Sequence, residues 1–254
     1  MYDSLEAELH DTFWNSEGPA AELPLLREFH QNHPGQGLEV GCGSGRLLFP
    51  LLLEGFQVAG LDNSPAMIRL ARQSAKEKGL LPNLYEEELS EHQPSLLYHA
   101  ITFPAFTIQL FENPAEALKD LHRLLAPKGG LYLSVFYPWA EVMGELPTDE
   151  RYQDHQIELP DGSLATIYTE HSLNQDTLTL TRKHSYEVSS KGEISQSYQS
   201  TQVLRYCQED EWIDLLQATG FKVTKTIHDF DPEQEPDEES AGVTTFFLEK
   251  TPHL

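Results

Sequence analysis

The chain has 254 residues, and its 41 Asp and Glu against 17 Lys and Arg give a net charge of −24. Such a chain would repel nucleic acid rather than gain from counterion release, so DNA and RNA are not expected partners, and the acidity suits a saline habitat or a cationic substrate instead. Cys42 and Cys207 give neither a disulfide framework nor zinc spacing, and no run reaches the roughly 18 apolar residues of a membrane span, so a reducing, cytoplasmic setting without a membrane partner is expected.

The start, Met1-Tyr2-Asp3-Ser4-Leu5-Glu6, is acidic rather than basic then apolar, and does not read as a secretory leader. Leu5, Leu9 and Phe13 recur at helical spacing over residues 3–15, and Leu23, Leu25, Leu26 and Phe29 do so over 22–30. The turn Pro34-Gly35-Gln36-Gly37 leads into Leu38-Glu39-Val40-Gly41-Cys42-Gly43-Ser44-Gly45-Arg46, read as a strand end, a glycine loop and a helix start. Glycines at 41, 43 and 45 let the backbone bend and approach a ligand with no Cβ in the way. A dinucleotide loop, G-x-G-x-x-G, needs its third glycine where Arg46 stands. Glu39 would set a carboxylate beside any phosphate, so the pocket suits a cation or ammonium. A second strand over 55–61 is continuously apolar, as buried parallel strands are. Asp62 ends it, 17 residues past Gly45, where an acid is placed to accept both ribose hydroxyls.

On Glu39, Gly41, Gly43 and Gly45, followed by Asp62, the chain resembles class I S-adenosylmethionine-dependent methyltransferases, whose first motif reads (E/D)-x-G-x-G-x-G. The resemblance is closer over 36–136 than over 205–250. It implies an α/β fold, a Rossmann-like, mostly parallel seven-stranded sheet flanked by helices, with S-adenosylmethionine as cofactor and S-adenosylhomocysteine as product. Cys42, within the cofactor loop, reads as a small space-filler rather than a reactive thiol. In such enzymes the N-terminal helices fold over the cofactor cleft, so Tyr2, Phe13 and Trp14 either line the substrate cavity or pack the helices down.

Further along, Ser64-Pro65 signals a helix start, with Met67, Ile68, Leu70 and Ala71 as its buried stripe and Gly79 as its end. The resemblance puts Asn63 and Met67 against the adenosine. After a short strand at Leu84-Tyr85, it puts the adenine-amine acceptor at Glu88, with main chain around Leu89 on the ring; the other reading of Glu86-Glu87-Glu88 is a solvated charge run. A fourth strand with its exit, 100–106, should bring Phe103 to Gln109 to the methyl, because ligands in such sheets bind beyond the strands' carboxyl ends. Phe103 is expected at the cofactor and Phe106 at the substrate. The stretch lacks the polar residue and paired prolines of nucleobase amino-methyltransferases. His99 reads as a packing residue, and His122 as a packed or exposed histidine rather than a base. A helix over 114–125 and the turn 126–130 precede a fifth strand, 131–136, after which Tyr137 and Trp139 fall at the ligand edge.

Beyond residue 150 the period changes. Pro160-Asp161-Gly162 is a hairpin signal, and 176–188 alternates with Leu178, Leu180, Tyr186 and Val188 on one face. The expected domains are 1–150 with 205–254 as the cofactor-binding body, and 151–204 as an inserted antiparallel sheet. That sheet either covers the substrate site or makes a homo-oligomer. A helix over 209–219 and strands over 221–227 and 243–250 close the chain around an acidic, proline-broken loop, 229–242. The adjacent carboxylates Asp237-Glu238-Glu239 read as solvated, so no metal is expected.

Transfer from a sulfonium is an in-line displacement from a good leaving group, for which alignment supplies roughly 7–11 kcal/mol. An amine acceptor needs only its neutral form, whereas a hydroxyl needs a base. Tyr2, Gln109 and Tyr137 are the candidates to orient it. The expected activity is methylation of a nitrogen or oxygen of a small metabolite, nitrogen preferred. The alternatives are a non-catalytic cofactor-binding sensor and an NAD-dependent oxidoreductase, the latter disfavoured by Arg46.

Overall fold

The computed structural model describes residues 4–16, 18, 20–233 and 241–252. Its elements run α1 (Ser4–Ser16), α2 (Leu23–Asn32), β1 (Gly37–Val40), α3 (Leu48–Leu53), β2 (Val58–Asp62), α4 (Pro65–Lys78), β3 (Leu84–Glu86), β4 (Tyr98–Phe103), α5 (Pro114–Leu124) and β5 (Leu125–Phe136). Then come α6 (Trp139–Val142), β6 (Tyr152–Glu158), β7 (Leu164–Asn174), β8 (Thr179–Ser190), β9 (Glu193–Arg205), α7 (Glu209–Ala218), β10 (Phe221–His228) and β11 (Val243–Lys250). They form two compact units: Ala20–Tyr137 with Cys207–Leu254, and Met1–Pro19 with Pro138–Tyr206. The borders therefore differ from those drawn from the change of period at 151, and the first helix groups with the small sheet rather than the body.

The larger unit holds a seven-stranded sheet in the order β10-β11-β5-β4-β1-β2-β3. β1 pairs in parallel with β2 and β4, β2 with β3, and β4 with β5, while β11 runs antiparallel to both β5 and β10. The chain leaves β1 for β2 on one side and returns to β4 on the other, so the topological switch lies at the carboxyl ends of β1 and β4. Leu38, Val40, Ile101, Leu131 and Leu133 pack on α5 and α7 through Leu118, Leu121, Trp212 and Leu216. The opposite face packs under α2, α3 and α4 through Leu26, Phe29, Leu48, Leu51 and Ile68.

Local chemistry sets the helix ends. The Ser64 hydroxyl accepts the Met67 N–H, Pro65 stands in the first turn, and Gly79 closes α4 at φ +67. Asn113 caps α5 and a Gln208–Glu211 capping box opens α7. Three strands depart from expectation. β2 starts at Val58 because Gly55, at φ +92, belongs to the preceding turn. β5 starts at Leu125, with residues 126–129 bulging between the pairs Tyr98–Leu125 and Ala100–Gly130. β4 stops at Phe103, because Ala105 and Phe106 both turn into the left-handed region, at φ +53 and +63.

The smaller unit is an antiparallel sheet, β6-β7-β8-β9. Its two tight turns are chemical: Asp161 accepts the Ser163 N–H and hydroxyl, and Lys191-Gly192 both take positive φ, as a two-residue hairpin requires. Leu178 is not in the stripe with Leu180, Tyr186 and Val188; it lies in the β7–β8 turn at φ +49. α1 buries Leu5, Leu9 and Phe13 against Ala165, Tyr186 and Val188, at about 1.5–3 kcal/mol for each large side chain. The buried Glu6 carboxylate accepts from Tyr186 and Ser200, each at 3.0 Å. No described helix is long and apolar enough to cross a membrane.

Candidate cofactor site

The glycine loop follows β1 and is built against the end of β2. Gly41 and Cys42 both donate to the Leu61 carbonyl, and Gly45 donates to the Cys42 carbonyl. Each of its three glycines has a positive φ, but they serve different ends. A Cβ on Gly41 would lie 2.5 Å from Thr107 Cγ2, in the turn after β4, and one on Gly45 would lie 2.3 Å from the Phe49 ring. At Gly43 the nearest atom is Met67 Sδ, at 3.9 Å. Two glycines thus let protein pack on protein, and the middle one faces open space. The Cys42 thiol is buried, and burial with Glu39 and Asp62 nearby raises its pKa well above the ordinary value, which suits a space-filler.

Asp62 braces this loop. One carboxylate oxygen accepts the Gly43 N–H at 2.8 Å and the other accepts the Ser64 N–H at 2.8 Å. Glu39 is 1% exposed, and its Oε2 has no hydrogen-bond partner among the described residues. Burial first, and then the neighbouring Glu22 and Asp62, raises its pKa to about 8, against an opposing pull from Arg46. Glu22, which precedes α2, was not singled out by sequence reasoning. Its buried carboxylate accepts the Ser134 hydroxyl at 2.7 Å and the Ala105 N–H at 3.2 Å.

The acidic run that begins at the last residue of β3 separates into three roles. Glu86 pairs with Arg72, Glu87 with the buried His92, and Glu88 accepts both contacts from the Asn63 amide, at 3.0 and 3.2 Å. Asn63 and Glu88 therefore meet beyond the ends of β2 and β3. Met67 is fully buried under the loop. Leu89 and Phe103 are buried in the core, Phe103 edge-on to Phe111 at 5.5 Å.

At the carboxyl edge of β4, Phe106 packs on Phe136 at 5.0 Å and on Phe230 at 6.5 Å, making an aromatic shelf. Gln109 is not placed to orient an acceptor. It is fully buried, its amide nitrogen donates to the Phe136 carbonyl and its amide oxygen accepts the Phe136 N–H, both at 2.9 Å. Gln109→Leu should therefore cost about 1–3 kcal/mol for each main-chain group left unpaired, read as a fall in unfolding free energy by urea titration; an unchanged midpoint would deny the clamp. The Tyr137 N–H donates to the Gly242 carbonyl. Among candidates in the smaller unit, Phe13 is packed into its core, edge-on to His155 at 5.3 Å; Trp14 is exposed, and Trp139 opens α6 half-buried. Tyr2, Asp237, Glu238 and Glu239 lie outside the described residues, among which no group of three His, Cys, Asp or Glu is placed to hold a metal.

A family model described as a methyltransferase domain matches residues 14–226. A Geobacillus sp. (strain WCH70) protein, named only provisionally as a methyltransferase, is 24% identical over 98% of this chain and 96% of its own. The demethylmenaquinone methyltransferase of Thermus thermophilus is 33% identical over 41% of this chain, which spans about half (49%) of that relative. The solved structure of an amino pentose methyltransferase from Micromonospora echinaspora, bound to S-adenosylmethionine, shares the fold at a TM-score of 0.70 and 16% identity, over 99% of this chain and 100% of its own.

Proposed function

The chain belongs to the methyltransferase-domain family that its residues 14–226 match, and on that premise we propose that it moves a methyl group from S-adenosylmethionine to a nitrogen or oxygen of a small molecule. The observation that carries this reading is the pair of carboxyl groups flanking the glycine loop, Asp62 bracing it and Glu39 buried with one oxygen unpartnered among the described residues. A pyrophosphate would meet the Asp62 anion there, with a second acid beside it, whereas an amino acid's ammonium or a sulfonium meets a counter-charge.

In this reading Asp62, at the end of β2, holds the ribose hydroxyls. Glu39 takes the amino group, and Glu88, steadied by Asn63, takes the adenine amine. The bound sulfonium supplies the leaving group; the chain's part is alignment along the edge where Phe106, Phe136 and Phe230 gather. Nitrogen is the preferred acceptor atom, since an amine arrives with its own lone pair and Gln109, one candidate to orient a hydroxyl, is engaged by Phe136.

Calorimetric titration with S-adenosylhomocysteine and, separately, with NAD tests the reading. The thioether should bind and NAD should not. Binding of NAD without the thioether would replace methyl transfer with hydride chemistry. Incubation of a metabolite pool with labelled methyl donor then identifies the acceptor.

A further inference from the structure

Beneath the glycine loop the sheet's core turns polar. Glu39 on β1 registers with Thr102 on β4, Thr102 with Tyr132 on β5, and Ser134 on β5 with Thr245 on β11, so these side chains share one face. Glu22 reaches the same face from the start of α2. The two carboxyls are both at least nine-tenths buried but unequally served. Hydroxyl and main-chain donors reach both oxygens of Glu22 and work against the burial that raises its pKa, while Oε2 of Glu39 has no partner among the described residues. Donors favour a carboxylate's charged form, and burial without them favours the acid. Two like charges sharing one buried neighbourhood sharpen that division.

We propose that Glu22 and Glu39 form an unequal carboxyl pair in the cofactor site, with Glu22 the anion and Glu39 the acid, and that Glu39 gives up its proton when the ligand's ammonium enters. The O–H bond of Glu39 breaks, the proton passes to bulk solvent, and the carboxylate left behind pairs with the ammonium. Glu22 acts through Glu39 and is a positioning residue. This inference rests on the cofactor reading above.

The groups facing Glu39 are consistent with it. Glu22 and Asp62 oppose its ionisation, Arg46 favours it, and together with burial they leave its pKa at about 8; the neighbouring Cys42 thiol is pushed further from ionising, as is the Tyr132 phenol beside Glu22. Below pH 8 the free site holds the proton that binding must expel, so affinity should rise with pH up to about that value and fall beyond it as the ligand's own amino group loses its proton. Between pH 6 and 7 the gain should be about tenfold, while the ligand's own amino group, ordinarily titrating at about 7.7–8.0, stays charged.

Titration calorimetry of the full chain with S-adenosylhomocysteine at pH 6.5, in buffers of different ionisation enthalpy, should show about one proton released per ligand bound. Glu39→Gln should abolish the release and flatten the pH dependence. Glu22→Gln, which removes the facing anion, should let Glu39 ionise earlier and make both effects smaller. Release unchanged in Glu39→Gln, or no release from the unaltered protein, overturns the inference while leaving the cofactor reading standing. Failure of S-adenosylhomocysteine to bind at all removes both. If either variant does not fold, the buffer dependence of the unaltered chain still decides.

Discussion

Gly45→Ala is expected to destabilise the larger unit by about 2–5 kcal/mol, whereas Gly43→Val should leave it folded and unable to bind S-adenosylhomocysteine. Both residues have positive φ, at +93 and +53, so each substitution carries left-handed strain of about 1–2 kcal/mol. What separates them is space. The new Cβ at 45 would sit 2.3 Å from the ring of Phe49, which is 3% exposed and packed among core side chains. Overpacking of that kind costs about 1–3 kcal/mol more, a large part of the 5–15 kcal/mol that holds an ordinary domain together. At 43 no protein atom comes nearer than Met67 Sδ at 3.9 Å, so the side chain enters the space that the loop leaves for a ligand. Thermal unfolding and calorimetry on the two variants should therefore give opposite patterns. A Gly43→Val protein that binds the thioether like the parent would refute the close approach of ligand to loop.

That division among three glycines could not be read from their spacing, although the loop itself could. The signals legible in the sequence are those whose cause is local. The Ser64-Pro65 cap, the αL Gly79 and the Pro160-Asp161-Gly162 turn depend on neighbours a few residues away, and each appears where its chemistry placed it. That Asp62 ends β2 was legible because the apolar run before it stops there. Glu22 was not, since its partners Ala105 and Ser134 lie 83 and 112 residues further on, and only the sheet order brings them together. Gln109 misled for the same reason: a polar residue beyond a strand looks free until Phe136, 27 residues later, takes both ends of its amide. The turn at Ala105-Phe106 hid in an apolar run that reads as strand, because nothing local announces a left-handed phenylalanine. Likewise the apolar stripe of α1 told that the helix buries one face, but not which sheet receives it.

Asp62 offers the sharpest test of how the site divides between its two carboxylates. Its oxygens accept the Gly43 and Ser64 N–H groups, and hydrogen bonds to a charged group are worth about 1.5–3 kcal/mol each. Asp62→Ala should therefore loosen the loop as well as remove the ribose acceptor, and weaken S-adenosylhomocysteine binding by about 1–3 kcal/mol or more. Asp62→Asn is the cleaner variant, since its amide oxygen keeps one of the two main-chain donors while the negative charge is gone. Adenosine carries the ribose but no amino acid, so Asp62→Asn should weaken adenosine and S-adenosylhomocysteine by the same factor. Glu39→Gln should weaken only the latter, because adenosine has nothing to place against residue 39. If adenosine instead responds to Glu39 and not to Asp62, the nucleoside lies across the loop in the reverse sense, with its sugar over β1 and its amino acid beyond β2. Equal indifference of both ligands to both residues would take the cofactor away from the glycine loop altogether.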